Sequence, residues 1–386
     1  MANGRLPRSF GRPRPSRERL EFTQPASASM ARFHELPAPT RPAPFHLDLA
    51  EILDDATMKA ITDNKNLVFH IAGDMGGVKD AVPQHIVADH MERDFAHDPV
   101  HPENDPAFFY GLGDCVYFFG ETSEYFHQFY LPYEHYLAPI FAVPGNHDGD
   151  NVAIETSLQA FVRNFCAQEP VITPEAGNIQ RHAMTQPNVY WTLVTPLATI
   201  VGLYSNVPEQ GRITQPQQDW LASELQNAPA DKPLFVTMHH PIFSADDHHS
   251  GSGNMKEALD EAIRNSGRQP DIVFGGHVHN YQRFTRAVGD REIPYIVAGA
   301  GGYHNLHRVA KVNGERVIPP VTQTVAGEDI TLERYLDDRH GFLRIEITDQ
   351  VVTGKYYGVP RPQESWSAEA RLSDAFELNW RTHNLS

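Results

Sequence analysis

The fold of this chain is decided by AVPGNHDGD, residues 142–150. An apolar approach breaks abruptly at Pro144 and Gly145, and this pattern predicts a buried strand that ends at a polar site. Open α/β sheets bind their ligands at the carboxyl ends of strands. Asn146 can offer a neutral oxygen to a divalent metal ion, and His147 can donate a proton to a group bound beside it. Taken alone, the stretch is equally compatible with an ordinary turn.

Four further apolar runs end in the same way, and nearly continuous runs of this kind predict strands buried on both faces. They are residues 67–72, followed by Asp74; 108–112, followed by Asp114; 234–238, followed by His239; and 272–274, followed by His277 and His279. Five such ends predict one shared site. Oxygen and imidazole donors without thiolates favour iron, manganese or zinc, and a carboxylate such as Asp114 can bridge two ions about 3.5–4 Å apart.

The composition limits the classes of protein to which the chain can belong. The chain has 386 residues, of which 40% are hydrophobic and 21% charged, as is typical of a soluble globular protein. Its formal net charge of -17 disfavours a nucleic-acid partner. No apolar run approaches the ~20 residues of a membrane span, and the first 30 residues lack the apolar centre of a signal peptide. We therefore expect a cytoplasmic protein with no membrane partner. Cys115 and Cys166 are too few for a disulfide framework.

We predict one catalytic domain over residues 45–360, between a disordered arm at 1–44 and a helical extension at 361–386. The arm is rich in arginine and proline and lacks the apolar surface that would offset its ordering entropy; Met30 is an alternative start. Apolar periodicity predicts helices at 52–61, 82–95, 118–136, 154–166, 217–225 and 255–263. Further strands are predicted at 189–191, 198–204, 294–298 and 342–347, and residues 301–340 are expected to form a long loop over the site.

Five motifs occur in order along the chain: Asp74-x-Gly76, Gly113-Asp114-x-x-Tyr117, Gly145-Asn146-His147-Asp148, Val236-x-x-His239 and Gly276-His277-x-His279. Together they resemble the motifs of the purple acid phosphatases, a branch of the calcineurin-like metallophosphoesterases. The resemblance spans residues 74–279. It implies an α/β (α+β) fold, a four-layer αββα sandwich in which two mixed β-sheets pack face to face with helices outside. A fibronectin-like domain of the large plant enzymes is missing before the first strand, so the small single-domain form is expected.

The resemblance also implies a ligand set for two metal ions. The first ion would be held by Asp74, Asp114, Tyr117 and His279, and the second by Asp114, Asn146, His239 and His277. Gly76 stands where most relatives in the broader superfamily carry a ligating histidine, and Tyr117 can supply the missing donor. A phenolate stabilises a trivalent ion, so we expect Fe(III) at the first site and Fe(II), Zn(II) or Mn(II) at the second. Alternatively, Tyr117 is a packing aromatic.

Three histidines are expected to be catalytic and substrate-binding. His248 and His249 follow His239 by nine and ten residues and match a histidine pair that plant members hold over the substrate; His147 matches a histidine near the leaving group. His147 or His249 is expected to protonate the departing alkoxide. The implied function is a binuclear-metal acid phosphatase in which a metal-bound hydroxide attacks a small phosphomonoester and releases inorganic phosphate. The alternatives are a phosphodiesterase on the same scaffold and a non-catalytic metal-binding interaction protein. The natural substrate and the oligomeric state stay open.

Overall fold

The computed structural model of the chain describes residues 20–26, 35–149, 158–205 and 211–386. Three predicted features lie wholly or partly outside these residues. They are the arm at 1–19 and 27–34 with Met30, the end of the opening stretch at Asp150, and residues 154–157 of a predicted helix.

Helices and strands alternate through most of the chain. The α-helices of the described residues are α1 (Asp55–Asn64), α2 (Val82–Glu92), α3 (Asn146–Gly149), α4 (Gln159–Phe165), α5 (Gln215–Asn227) and α6 (Gly253–Ser266). The strands are β1 (His46–Asp48), β2 (Leu67–Ala72), β3 (Pro106–Gly111), β4 (Ile140–Ala142), β5 (Trp191–Val194), β6 (Thr199–Gly202), β7 (Leu234–Met238), β8 (Ile272–Gly275), β9 (Tyr281–Val288), β10 (Arg291–Ala298), β11 (Lys311–Val312), β12 (Glu315–Arg316), β13 (Val321–Val325), β14 (Glu328–Leu336), β15 (Gly341–Ile347), β16 (Val351–Gly358), β17 (Arg371–Asn379) and β18 (Asn384–Leu385).

Two mixed sheets contain the predicted site strands. The seven-stranded sheet has the order β18-β17-β16-β15-β2-β3-β4, and β2, β3 and β4 run parallel within it. The nine-stranded sheet has the order β1-β5-β6-β7-β8-β10-β9-β14-β13, and β6, β7, β8 and β10 run parallel. Parallel neighbours bring their carboxyl ends to one edge, so each sheet presents one group of polar residues there.

An apolar core joins the two sheets face to face. Phe69 and Tyr110 of the smaller sheet and Phe235 and Phe274 of the larger one are fully buried in the same cluster. A second cluster combines outward-facing strand residues with the helices, for example Val87 of α2 and Leu221 of α5. These layers confirm the predicted sandwich. Within β2, the ring of His70 bonds the Tyr136 hydroxyl and the Asp94 carboxylate, so it is a satisfied core histidine.

The predicted C-terminal helix is wrong. Residues 371–379 form β17, which pairs antiparallel with β16 and so belongs to the smaller sheet. Asp374, Phe376 and Leu378 are buried and alternate with exposed neighbours, which is the period of a strand. The spacing of Phe376 and Leu378 therefore follows a two-residue repeat, whereas the helix prediction assumed a repeat of 3.6.

The predicted loop at 301–340 and the predicted helix at 118–136 are also largely wrong. The loop region holds a short hairpin, β11 with β12, and then β13 and β14, which extend the larger sheet beyond β9. Ile330 and Leu332 anchor β14 because both side chains are fully buried. The aromatic region holds only a 3-10 turn at Thr122–Glu124 and a π-helical turn at Phe126–Tyr130. Pro132 cannot donate a helical hydrogen bond, which helps to end that turn.

Residues 20–26 contradict the prediction of a disordered arm. Phe22 is 1% exposed and packs edge-on against Phe284, with ring centroids 5.0 Å apart. Its carbonyl accepts a hydrogen bond from the N–H of Ser244 at 2.8 Å, and Thr23 forms a β-bridge with Gly251. This segment therefore binds to the loop that follows β7 through backbone hydrogen bonds. No helix in the described part of the chain has the length and apolarity that a membrane crossing requires.

Candidate active site

The seven predicted ligand residues converge where strands of both sheets end. Asp74, Asp114 and Asn146 follow β2, β3 and β4; His239 follows β7, and His277 and His279 follow β8. Three of these positions have a left-handed backbone, with φ of 56° at Asp74, 53° at Asp114 and 66° at His277. A non-glycine residue there costs on the order of 1–2 kcal/mol, and such strain clusters at functional sites.

One group of donors surrounds the carboxylate of Asp74. The Tyr117 hydroxyl donates a hydrogen bond to Asp74 Oδ1 at 3.2 Å, and His279 Nε2 lies 3.3 Å from the same oxygen. The Tyr117 hydroxyl is 3.5 Å from His279 Nε2. The other carboxylate oxygen, Oδ2, accepts the backbone N–H of His277 at 2.7 Å. Three different side chains thus direct oxygen and nitrogen atoms at one small volume.

A second group surrounds Asp114. His239 Nε2 lies 3.3 Å from Asp114 Oδ2 and 3.1 Å from Asn146 Oδ1. Donor atoms of Asp114, His239 and His277 all lie within 4.8 Å of one another. The Nε2 of His277 is buried and has no hydrogen-bond partner among the described residues. A buried nitrogen without a hydrogen-bond partner, in a group of candidate donors, is consistent with a metal ligand.

Backbone carbonyls orient two of the imidazoles. The Nδ1–H of His239 donates to the carbonyl of Leu112 at 2.8 Å, and that of His279 donates to the carbonyl of Asn305 at 2.9 Å. In the neutral form of each ring, this bond leaves Nε2, which lies near a carboxylate, as the lone-pair nitrogen. Such outer hydrogen bonds fix the tautomer and position of metal-binding histidines.

Two glycines make room for the donors. A Cβ at Gly145 would lie 2.1 Å from Asp114 Oδ1, so only glycine permits this approach of chain and carboxylate. A Cβ at Gly76 would lie 2.8 Å from Tyr117 Cδ2. A histidine at position 76 and the observed position of the Tyr117 ring are therefore mutually exclusive. The glycine that removes one candidate donor creates the space for the other.

The electrostatics of the cluster favour a bound cation. Burial and the carboxylates of Asp114 and Asp74 hold the pKa of Tyr117 well above its usual range. Burial acts against a charged His239, but the Asp114 carboxylate overcomes it and raises the pKa of His239 to about 9. The carboxylates of Asp74 and Asp114 are both buried, and buried charges are stabilised by opposite charge nearby. The donor set fits divalent or trivalent metal ions, which would provide that charge and allow the phenol to ionise.

Asp148 has a structural role that sequence reasoning missed. Its buried carboxylate accepts the N–H groups of Cys115 at 3.0 Å, Val116 at 3.1 Å and Gly145 at 2.8 Å. These bonds join the turns after β3 and β4. Burial and the Asp114 charge raise the pKa of Asp148 to about 7. The residue fixes the relative positions of Asp114 and Asn146 without facing the donor cluster itself.

The three predicted catalytic histidines occupy different places. The His147 ring lies 4.6 Å from that of Tyr117, and its Nδ1–H donates to the Phe118 carbonyl at 2.8 Å. The His249 ring lies 4.5 Å from that of His277. His147 therefore lies beside Tyr117, a predicted ligand of the first ion. His249 lies beside His277, a predicted ligand of the second ion. The side chain of His248 is 47% exposed and lies further out.

Two site residues escaped the sequence analysis. The Tyr303 ring lies 4.3 Å from that of Tyr117 and 4.6 Å from that of His279. The His307 ring stacks on that of His279 at 4.3 Å. Both follow β10, whose apolar run ends in the glycine-rich residues 299–302. This is the same strand-end pattern that located the other ligands, and it could have identified this segment.

Comparison with known proteins identifies the family of the chain. The family model for calcineurin-like phosphoesterases matches residues 67–281, more than half of the chain. The chain belongs to this family. Among curated relatives, purple acid phosphatase 21 of Arabidopsis thaliana is 32% identical over 127 residues, 31% of this chain and 28% of that protein. Purple acid phosphatase 15 of the same plant is 27% identical over 173 residues, 42% of this chain and 29% of that protein. The chain therefore spans less than a third of their length.

Solved structures share the fold at low identity. A purple acid phosphatase from seeds of yellow lupin (Lupinus luteus), PPD1, has a TM-score of 0.54 at 14% identity, with 82% of this chain and 55% of that chain covered. GAP50, the anchor in the inner membrane complex of Plasmodium, has a TM-score of 0.53 at 14% identity, with 82% and 89% covered. Within this family, the chain resembles purple acid phosphatases in part of its sequence and in its fold. Because an anchor shares this fold, the fold alone does not decide function.

Proposed function

We propose that the chain hydrolyses phosphomonoesters at a centre of two metal ions. The first ion is held by Asp74, Asp114, Tyr117 and His279, and the second by Asp114, Asn146, His239 and His277. Fe(III) is proposed at the first position, because a phenolate is a hard anionic donor that stabilises a trivalent ion. Fe(II), Zn(II) or Mn(II) is proposed at the second. When bound, the two ions would activate a water molecule and neutralise charge on the phosphoryl group.

One observation carries this proposal. The Tyr117 hydroxyl lies 3.2 Å from Asp74 and 3.5 Å from His279, in a space that any side chain at Gly76 would close. A packing aromatic would not require its oxygen to meet two candidate ligands in a fully buried position. The arrangement supports a first metal site that includes Tyr117. This feature distinguishes the chain from relatives that carry a ligating histidine where this chain has Gly76.

His147 is proposed as the proton donor to the leaving group. Its bond to the Phe118 carbonyl holds the ring beside Tyr117, at the edge of the ligand cluster. His249 is assigned a different role, because burial and the neighbouring His307 lower its pKa to about 3. A neutral imidazole can donate a hydrogen bond to a phosphate oxygen but is a poor source of a proton. His248 and His249 are therefore proposed to bind substrate.

Hydrolysis of two chromogenic esters tests this function. Protein purified with its metals is assayed at acidic pH with 4-nitrophenyl phosphate and with bis(4-nitrophenyl) phosphate, before and after chelation. We expect faster hydrolysis of the monoester and loss of turnover on chelation. Faster hydrolysis of the diester would favour the phosphodiesterase. A metal-loaded protein that cleaves neither ester would favour the non-catalytic alternative.

A further inference from the structure

Three side chains with metal-binding donors meet on the rim of the site, outside the strand-end cluster. Asp246, His248 and His307 each place a donor atom within 4.8 Å of the other two. The Nδ1 of His307 lies 3.5 Å from Asp246 Oδ2. Ligand atoms around a tetrahedral zinc ion lie about 3.3 Å apart, because each is about 2.0–2.1 Å from the metal. The separation of His307 Nδ1 from Asp246 Oδ2 is close to this value.

His307 indicates that a ligand belongs here. Its side chain is 7% exposed, and its Nδ1 is buried without a hydrogen-bond partner among the described residues. The 3.5 Å separation from Asp246 exceeds the range of a good N–H···O bond. The ring stacks on His248 at 4.8 Å and on His279 at 4.3 Å, so it is held in this orientation. An ion between the two groups would give this nitrogen a partner and share the Asp246 carboxylate, which already accepts the N–H groups of His248 and His249.

Asp247 prepares His248 for the same ion. The Nδ1–H of His248 donates a hydrogen bond to the Asp247 carboxylate, which leaves Nε2 as the lone-pair nitrogen. A carboxylate behind a histidine fixes the tautomer and raises the basicity of the ligating nitrogen. The pair thus has the outer support that is typical of metal-binding histidines.

The two chain segments that carry these ligands are joined by their backbones. Asp246 forms a β-bridge with Val309, and the N–H of Ala310 donates to the Ala245 carbonyl at 2.8 Å. The Asp246 carboxylate also accepts the backbone N–H of His248 at 2.9 Å, which orients its oxygens. Because these positions are preset, binding an ion would cost little ordering entropy.

We propose that Asp246, His248 and His307 bind a third divalent transition-metal ion such as Zn(II). Two imidazoles and one carboxylate favour such an ion, and three protein ligands leave a coordination position for water or a phosphate oxygen. In a chain with a net charge of -17, a cation at the rim attracts an anionic ester. The site uses none of the seven strand-end residues, so it does not depend on the proposed two-ion chemistry.

The test counts metal ions per chain. Full-length protein carrying its tightly bound ions is dialysed against increasing Zn(II), and bound metal is measured by mass spectrometry in the wild type, in His307→Gln and in His304→Gln. His304 is the matched control, because it lies in the same segment but outside the three-residue group. We expect His307→Gln to bind one zinc fewer than the wild type, and His304→Gln to equal it. Equal uptake by the wild type and His307→Gln would overturn the proposal.

Two further variants keep the test decisive. If His307→Gln does not fold, His248→Gln replaces it, because that side chain is half exposed; the same loss of one ion is expected, and its absence overturns the proposal. Asp247→Asn should keep the stoichiometry and weaken the third ion about 10- to 100-fold. Asp114→Asn should lose strand-end ions and keep the rim ion. Loss of the extra zinc in Asp114→Asn but not in His248→Gln would assign that zinc to the strand ends.

Discussion

The strand-end ligands and the rim histidines are held in place by different parts of the fold. The strand-end ligands follow buried parallel strands, and carbonyls of neighbouring segments orient their rings. The rim histidines, His248, His249 and His307, lie on loops that are joined to each other by short backbone bridges. The loop that carries His248 and His249 is hydrogen-bonded to Phe22, whose carbonyl accepts the N–H of Ser244. The sheets thus determine the backbone positions of the first group, and long-range loop contacts determine the second. The two groups meet at His279, whose ring bonds the Asn305 carbonyl and stacks on His307.

The largest expected effect is at the strand ends. Asp114→Asn should lose metal from both proposed positions, because this carboxylate is the only side chain assigned to both. Turnover should fall at least ~10³-fold, since metal activation is worth several kcal/mol. Metal content and kcat measured on the same sample check this. Asp349→Asn, in a half-exposed turn, is the control and should change neither. An Asp114→Asn protein that retains both ions would show that Asp114 does not bridge them.

A smaller effect is expected from the proposed acid. His147→Ala should keep two ions and reduce kcat by ~10²-fold or more for an ester with a poor leaving group, as expected for lost proton transfer. The loss should be smaller for a nitrophenyl ester, whose leaving group needs no proton. Because the pKa of His249 is about 3, His249→Ala should raise KM and leave the shape of the pH profile above that value unchanged. Identical pH profiles in the wild type and His147→Ala would remove His147 as the acid.

The smallest effect concerns the contact between Phe22 and the loop that carries His249. Phe22→Ala removes a buried ring that packs on Phe284, which should lower the free energy of unfolding by about 3–5 kcal/mol. The loop bearing His249 should then be less well positioned, so kcat/KM should fall about threefold to tenfold, or roughly 1 kcal/mol, with the strand-end ions unchanged. Phe376→Ala in β17 is the matched control, because it should destabilise the protein similarly without changing kcat/KM. Equal kcat/KM in both variants would mean that the packing of Phe22 does not affect the site.

The same contrast explains what could be predicted from the sequence. Asp74, Asp114, Asn146, His239 and His277 could be found because each follows an apolar run that is broken by a nearby glycine or proline, a signal local in the chain. The segment that contains His307 also follows an apolar run that ends in glycine, but the stacking of His307 on His279 and its approach to Asp246 join separate segments of the chain. Those contacts leave no pattern in the local sequence.

Two fold errors have a related origin. The apolar residues of β17 repeat every second position, yet they are sparse enough to resemble one helical face. Residues 20–26 dock through two buried apolar side chains, Leu20 and Phe22, and the partner of Phe22, Phe284, is supplied by a distant strand. Composition indicated disorder there because it averages over the few residues that pack.

The central claim is that the strand-end residues and Tyr117 hold two ions, one of them Fe(III) bound by a phenolate. The visible spectrum and metal content of protein purified without added metals test it most directly, with Tyr117→Phe measured in parallel. A phenolate bound to Fe(III) absorbs visible light by ligand-to-metal charge transfer, so the oxidised wild type should be purple to pink. Tyr117→Phe keeps the packed ring and should lose the colour. A colourless wild type that contains stoichiometric Fe(III) would contradict the claim.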